Sequence, residues 1–193
     1  MAVATAVRNM AGPVRLLNNA PFIELADLPA EALALPFVTP FFTPANRQKA
    51  SQEAFKLGFK SAFSLIDPTV PESPSLVHGQ GLYINAGCAL GGAVEVGEFV
   101  LINRAVSLGH HVRCGGFVSI GPGVVVAGSV KIGRGSVIGA GAVVLPELSI
   151  GSNSVVGAGS VVTESIPDHC LAVGSPARIV RTEIAGFGGQ TVI

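Results

Sequence analysis

The 193-residue sequence has no tryptophan and a single tyrosine, and its 12 Lys and Arg balance its 12 Asp and Glu to a net charge of zero. A nucleic-acid surface calls for clustered cations and stacking aromatics, so neither feature supports one. Charged residues are 12% of the chain, about half the share of an average soluble domain. Mean hydropathy is high, at +0.58, yet no apolar run approaches the roughly 20 residues of a membrane-spanning helix. The N-terminus, Met1 to Gly12, carries Arg8 and Asn9 and lacks the apolar core of a signal peptide. These absences predict a cytoplasmic chain with neither a nucleic-acid nor a membrane partner. Three cysteines, Cys88, Cys114 and Cys170, have no metal-ligand spacing and read as buried thiols in a reducing compartment. No metal is expected.

What the chain has instead is a six-residue beat. From Ile84 its first position reads Ile84, Leu90, Val96, Ile102, Leu108, Cys114, Ile120, Val126, Ile132, Ile138, Val144, Ile150, Val156 and Val162, aliphatic throughout except for one small thiol. Glycine dominates the second position (Gly91, Gly97, Gly109, Gly115, Gly121, Gly133, Gly139, Gly151, Gly157), and small or β-branched residues fill the fifth. Neither the 3.6 period of a helix nor the 2.0 period of a strand fits. A short fixed repeat is the signature of a solenoid. Val and Ile suit short strands, and the glycines suit corners where a Cβ would clash. Three beats, about 18 residues, make one triangular coil, and coils stacked at ~4.8 Å build a prism ~20 Å long. First and fifth positions point inward. Leu76 and Leu82 already occupy fifth positions, so a first coil begins near residue 72.

The flanks differ in kind. Val14–Leu17 and Phe22–Leu25 are candidate strands, while Leu35–Pro44 holds three prolines and can form at best an edge strand. Ala45 to Gly58 is helical in pattern, with Ala50, Ala54 and Leu57 on one face and Gly58 as the stop. Arg47 reads as a residue on the helix surface, with contact to a bound acceptor as the other reading. Phe63–Pro68 reads as a strand ending in a turn, and Pro68, Pro71 and Pro74 give a stiff entry to the ladder. The glycine-rich last dozen residues, with Gly186, Gly188 and Gly189, look like a flexible tail.

Beats such as Ile138-Gly139-Ala140-Gly141-Ala142 resemble the hexapeptide-repeat acyltransferases. The resemblance implies a mainly β fold, a left-handed parallel β-helix. Gly174-Ser175-Pro176-Ala177-Arg178 is similar to that family's closing motif. Asn46-Arg47 before a helix, then Gly58 and Leu65-Ile66-Asp67-Pro68-Thr69-Val70, resemble the second half of the Rossmann-like domain of the bacterial sugar O- and N-acetyltransferases of the sialic-acid and bacillosamine type. The first half has no counterpart, since no Gly-rich turn joins an opening strand to a helix. The implied organisation is a small, incomplete Rossmann-like α/β segment over 1–70, a β-helix over 71–166, and a cap and tail over 167–193.

That family transfers an acetyl group from acetyl-CoA to an amino or hydroxyl group of a sugar or nucleotide-sugar, in homotrimers with sites between subunits. Its general base is a His at the third position of a beat. His110 holds that position here, and the run Ile102-Asn103 to Leu108-Gly109-His110 matches the family pattern. The chemistry suits imidazole, which is available as a free base near neutrality. The family places an acid after the base, whereas this chain has His111. Carried over by position, the donor contacts are Ser119, Ala140 and Ala158, with Arg178 as either a contact to a CoA phosphate or a plain surface residue. His78 and His169 read as structural. Two alternatives compete. His110 and His111 are a solvated surface pair on a β-helix that serves as an inactive scaffold, or the fold is a zinc-dependent carbonic anhydrase, for which the four histidines lack the spacing.

Overall fold

The structure is a computed structural model, and it describes residues 28–193. The expectations for Val14–Leu17, Phe22–Leu25 and the missing Gly-rich turn lie outside the described residues. Each beat of the ladder yields one two-residue strand, built from the sixth position of one beat and the first of the next, as in Leu101–Ile102, Ser107–Leu108 and Arg113–Cys114. The next coil repeats them in register: Leu101 pairs with Ser119, Ser107 with Val125 and Arg113 with Lys131, all parallel. Three sheets result, and they form the faces of a prism.

The first face runs Leu65–Ile66, Tyr83–Ile84, Leu101–Ile102, Ser119–Ile120, Val137–Ile138, Val155–Val156, Leu171–Gly174 and Ala177–Arg181. The second runs from Ala89–Leu90 to Val161–Val162, and the third from Val77–His78 to Ser149–Ile150. Leu65 pairs with Tyr83 and Val77 with Glu95, so stacking begins at Leu65, ahead of the start near residue 72 that the fifth-position leucines suggest. Side chains at first and fifth positions fill the interior: Val94, Val100, Ile102, Val112, Ile120, Val124 and Ile138 are fully buried. Each such side chain contributes about 1.5–3 kcal/mol on leaving water. Toward the far end the fifth position turns polar, and the buried Ser136 and Ser154 donate to the Gly151 and Pro167 carbonyls at 2.5 and 2.6 Å. Buried hydroxyls without such partners would cost stability.

The glycines do two jobs at two positions. At the second position a Cβ would strike the backbone of the next coil: on Gly139 it would lie 2.5 Å from the Ala158 nitrogen. The left-handed turn itself falls two residues later, at the fourth position, where φ is +55° at Ala105, +58° at His111 and +66° at Gly141. Glycine is thus needed for close approach of coils rather than for bending the corner, which non-glycine residues also do.

Before the ladder, Phe37 and Ala62 form a parallel bridge on either side of the helix Pro44–Leu57, which is all the sheet that this proline-rich run supports. Pro44 opens that helix, and Gly58, at φ +107°, closes it by donating to the Ala54 and Phe55 carbonyls. The buried face is not the expected one. Leu57 is exposed, while Pro44, Arg47, Gln48 and Ser51 are buried. Arg47 is fully enclosed and its donors end mostly on main-chain carbonyls: Nε on Phe99 at 2.7 Å, Nη2 on Phe117 at 2.8 Å and Val118 at 3.0 Å, and Nη1 on Phe41 and Phe42, with Nη2 also reaching Ser119 Oγ. Burial pushes its guanidinium down to about 9, so it stays charged at neutral pH. Beside it Phe37, Phe55, Phe59, Phe99 and Phe117 pack ring against ring at 5.0–6.3 Å.

The tail is docked, contrary to its glycine content. Asn153 brackets Val192, accepting from its N–H at 2.9 Å and donating to its carbonyl at 3.2 Å, and Gln48 does the same for Ile193. Val192 is buried and Phe187 meets Phe42 edge to face. Among the described residues no helix is long and apolar enough to cross a membrane.

Candidate active site

His110 and His111 project from the corner between the second and third faces, and both are exposed. Their register comes from the ladder: Gly91, one coil before, lies against the His110 backbone, and Gly128, one coil after, lies under the His110 ring, where a Cβ would be 2.6 Å from Nε2. Histidine tolerates the left-handed backbone at His111 better than bulkier residues do. The two Nδ1 atoms are 3.0 Å apart with the rings nearly perpendicular, at 84°. One nitrogen must carry the proton and the other accept it. With Nδ1–H of His110 donating to His111, Nε2 of His110 keeps its lone pair and can take a proton from a substrate.

The acids that lie about one coil earlier are engaged elsewhere. Glu95 pairs with Arg113 at 3.1 Å and Glu98 with Arg134 at 2.6 Å. His111 is therefore the group that meets the Nδ1 of His110. His78 and His169 bond the Gly79 and Ile184 carbonyls through Nδ1, at 2.8 and 2.9 Å. Among the described residues no group of His, Cys, Asp and Glu is gathered to hold a metal ion. All three thiols are buried, and burial raises Cys114 to about 12.

Ala140 and Ala158 sit together on another corner, between the first and second faces, and both are exposed. They line a groove of about 410 Å³ with Asn103, Pro122, Val137 and Val155 on its floor and Phe42 and Phe187 at its wall. Ser119 does not join them. It stands at the sixth position of its beat and is fully buried, donating to the Phe42 carbonyl at 2.6 Å and accepting from Arg47 at 2.9 Å. Its hydroxyl is spent on joining the N-terminal segment to the ladder. Arg178 is also outside the groove lining, 3.7 Å from Glu164 and bonded to the Ala177 carbonyl. Sequence alone gives Phe42 and Phe187 no place at the groove, and it puts Arg47 on the helix surface, where the structure instead buries it.

A family model described as bacterial transferase hexapeptide (six repeats) matches residues 111–146. PerB from Caulobacter crescentus, solved with CoA and GDP-perosamine, is 34% identical over 76% of this chain and 70% of its own, with a TM-score of 0.71. The chain belongs to the hexapeptide-repeat sugar acetyltransferases. This acetyltransferase also resembles the acetyltransferase domain of PglB from Neisseria gonorrhoeae, solved with acetyl coenzyme A, at 28% identity over 92% of this chain and 85% of that one, with a TM-score of 0.80. WeeI from Acinetobacter baumannii is 26% identical over 86% and 81%, with a TM-score of 0.77. No curated protein sequence matches the chain. The three-sheet prism is the parallel β-helix that the family resemblance implied.

Proposed function

We propose that this acetyltransferase moves the acetyl group of acetyl-CoA directly to an amino or hydroxyl group of a nucleotide-linked sugar, with His110 as general base, at sites shared between the subunits of a homotrimer. The observation that carries the reading is His110 itself, exposed on its corner with its Nδ1 held at 3.0 Å by His111. The acceptor's N–H or O–H gives its proton to Nε2 of His110 as the nitrogen or oxygen attacks the thioester carbonyl. The tetrahedral centre then collapses, and the departing CoA sulfur takes the proton back from the imidazolium. The enzyme forms no bond to the acetyl group, in keeping with three buried thiols. His111 is a positioning residue. It accepts from Nδ1 and fixes the tautomer, the task that an acid performs in the wider family.

The placement of the parts supports shared sites. His110 and the Ala140–Ala158 groove occupy different corners, separated by the whole second face. That face is largely apolar: Ala89, Ser107, Val125, Val143 and Val161 point outward along it, and Val125 and Leu145 are exposed. Covering it with copies around a closed ring brings the His110 corner of one subunit against the groove corner of the next. The acceptor class and the acyl donor follow the relatives solved with GDP-perosamine and with acetyl coenzyme A.

The test is calorimetric titration of acetyl-CoA into wild type and His110→Ala, followed by turnover with amino- and hydroxy-sugar nucleotides. Both proteins should bind one donor per subunit, and only wild type should turn over. His111→Ala should lower kcat and change its pH profile, with His111→Glu recovering it. No donor binding by either protein at millimolar concentration would leave the inactive-scaffold reading in its place.

A further inference from the structure

The groove beside Ala140 and Ala158 has two unlike walls. One is the ladder, bare main chain at Gly121, Gly139 and Gly157 with small side chains between. The other is made by residues that the repeat does not supply, Phe42 from the run before the helix and Phe187 from the tail. Their rings meet edge to face at 6.0 Å, and each stays half-buried. Neither lies in the ladder, so something else must fix their place.

For Phe42 that device is visible. Its carbonyl accepts from Ser119 Oγ at 2.6 Å and from Arg47 Nη1 at 3.2 Å, and the Phe41 carbonyl accepts from the same guanidinium. Arg47 is in turn anchored on Phe99, Phe117 and Val118 of the ladder. A planar guanidinium with its donors shared between two chain segments is a rigid connector. Phe187 is placed from the other side: Thr191 Oγ1 donates to the Ala185 carbonyl at 2.6 Å, and Asn153 holds Val192.

We infer that Phe42 and Phe187 are donor-binding residues that close the groove over the pantetheine arm of acetyl-CoA, and that Arg47 with Ser119 is the positioning device for that aromatic wall. The inference rests on the acetyl-CoA reading above. An extended arm of two amides and a dimethyl-substituted carbon fits a slot with bare peptide on one side and apolar ring faces on the other. Withdrawing part of each ring face from water against such an arm strengthens binding by about three- to tenfold.

The experiment measures KM and calorimetric Kd for acetyl-CoA in wild type, Phe42→Ala, Phe187→Ala, Phe42→Tyr and Ser119→Ala, with kcat and acceptor KM read alongside. Both alanine variants should weaken the donor about three- to tenfold while kcat and acceptor KM hold. Phe42→Tyr, which keeps the ring, should restore the donor KM. Ser119→Ala should shift the same parameter by a smaller factor, because it removes one of the two bonds to the Phe42 carbonyl. A purely structural role would lower melting temperature and active fraction and leave donor KM unmoved, and that result overturns the inference. Wild type failing to bind acetyl-CoA at all would remove the parent reading and this one together, whereas normal wild-type binding with unaltered alanine variants removes this one alone.

Discussion

The ladder and the segments that clasp it are held in opposite ways. In the ladder every coil repeats the same interlock: a buried aliphatic, a glycine against the next backbone, and a left-handed residue at the corner. Load is spread over many equal contacts, as in other solenoids. The clasp has few contacts and they are unequal: the enclosed Arg47, with Ser119, joins the helix segment to the ladder, and Asn153 and Gln48 hold the tail. The ladder supplies the His110 corner and the groove floor, and the clasp supplies the groove's aromatic wall. The ladder is held by repetition, while the groove's aromatic wall is held by exceptions to it.

The comparison breaks most sharply at Gly139. An alanine there puts its Cβ 2.5 Å from the Ala158 nitrogen, and because the atom it meets is main chain the coils must separate. We expect a loss of more than about 3 kcal/mol, read by urea unfolding, with the whole sheet signal lost cooperatively. Arg47→Met comes next. It keeps side-chain length but strips hydrogen bonds from the Phe41, Phe42, Phe99 and Phe117 carbonyls, at about 2–3 kcal/mol. That loss should fall on the clasp alone: limited proteolysis should open the 28–62 region while the ladder melts close to its wild-type temperature. A ladder that melts together with the clasp would erase the distinction drawn between them.

Smaller effects sharpen it further. Gly141 has φ +66° and open space around its Cβ position, so Gly141→Ala should cost only about 1 kcal/mol, far less than Gly139→Ala two residues earlier. Equal losses at the two sites would mean that the corner rather than the coil spacing limits the fold. The smallest effect concerns Glu98. Burial works to raise its pKa, but the Arg134 hydrogen bond and charge more than offset this and hold it below the ordinary 4.5. A depressed carboxyl gives stability that is present above its unfolded value and is lost as pH falls through the folded one. The pair is partly exposed, so screening keeps its worth well under about 1 kcal/mol. The Tm difference between wild type and Glu98→Gln should accordingly be small at neutral pH and shrink below pH 4.5.

The same contrast explains what was legible in the sequence. Ile102, Val106 and Leu108 announce their burial because the repeat states it many times over, and His110 is placed by counting beats. Arg47 and Ser119 are 72 residues apart in sequence and in contact in the fold, and no periodicity encodes a single meeting of that kind. The helix was read by its apolar positions, Ala50, Ala54 and Leu57. The face that docks is instead the one whose donors reach the Phe99 and Phe117 corner carbonyls. Glycines at 186, 188 and 189 suggested mobility, but the Asn153 side chain supplies the tail with the pairing that a strand would have given.

The most direct test of the account mixes two defective proteins. His110→Ala removes the proposed base, and Ala158→Trp fills the groove while leaving His110 intact. Each alone should be inactive. Co-refolded in equal amounts, random trimers should regain about one quarter of wild-type activity, because one site in four would pair an intact His110 with an intact groove from the next subunit. A mixture that stays inactive, although mixed trimers have formed, would contradict a site built from the His110 corner of one subunit and the groove corner of its neighbour.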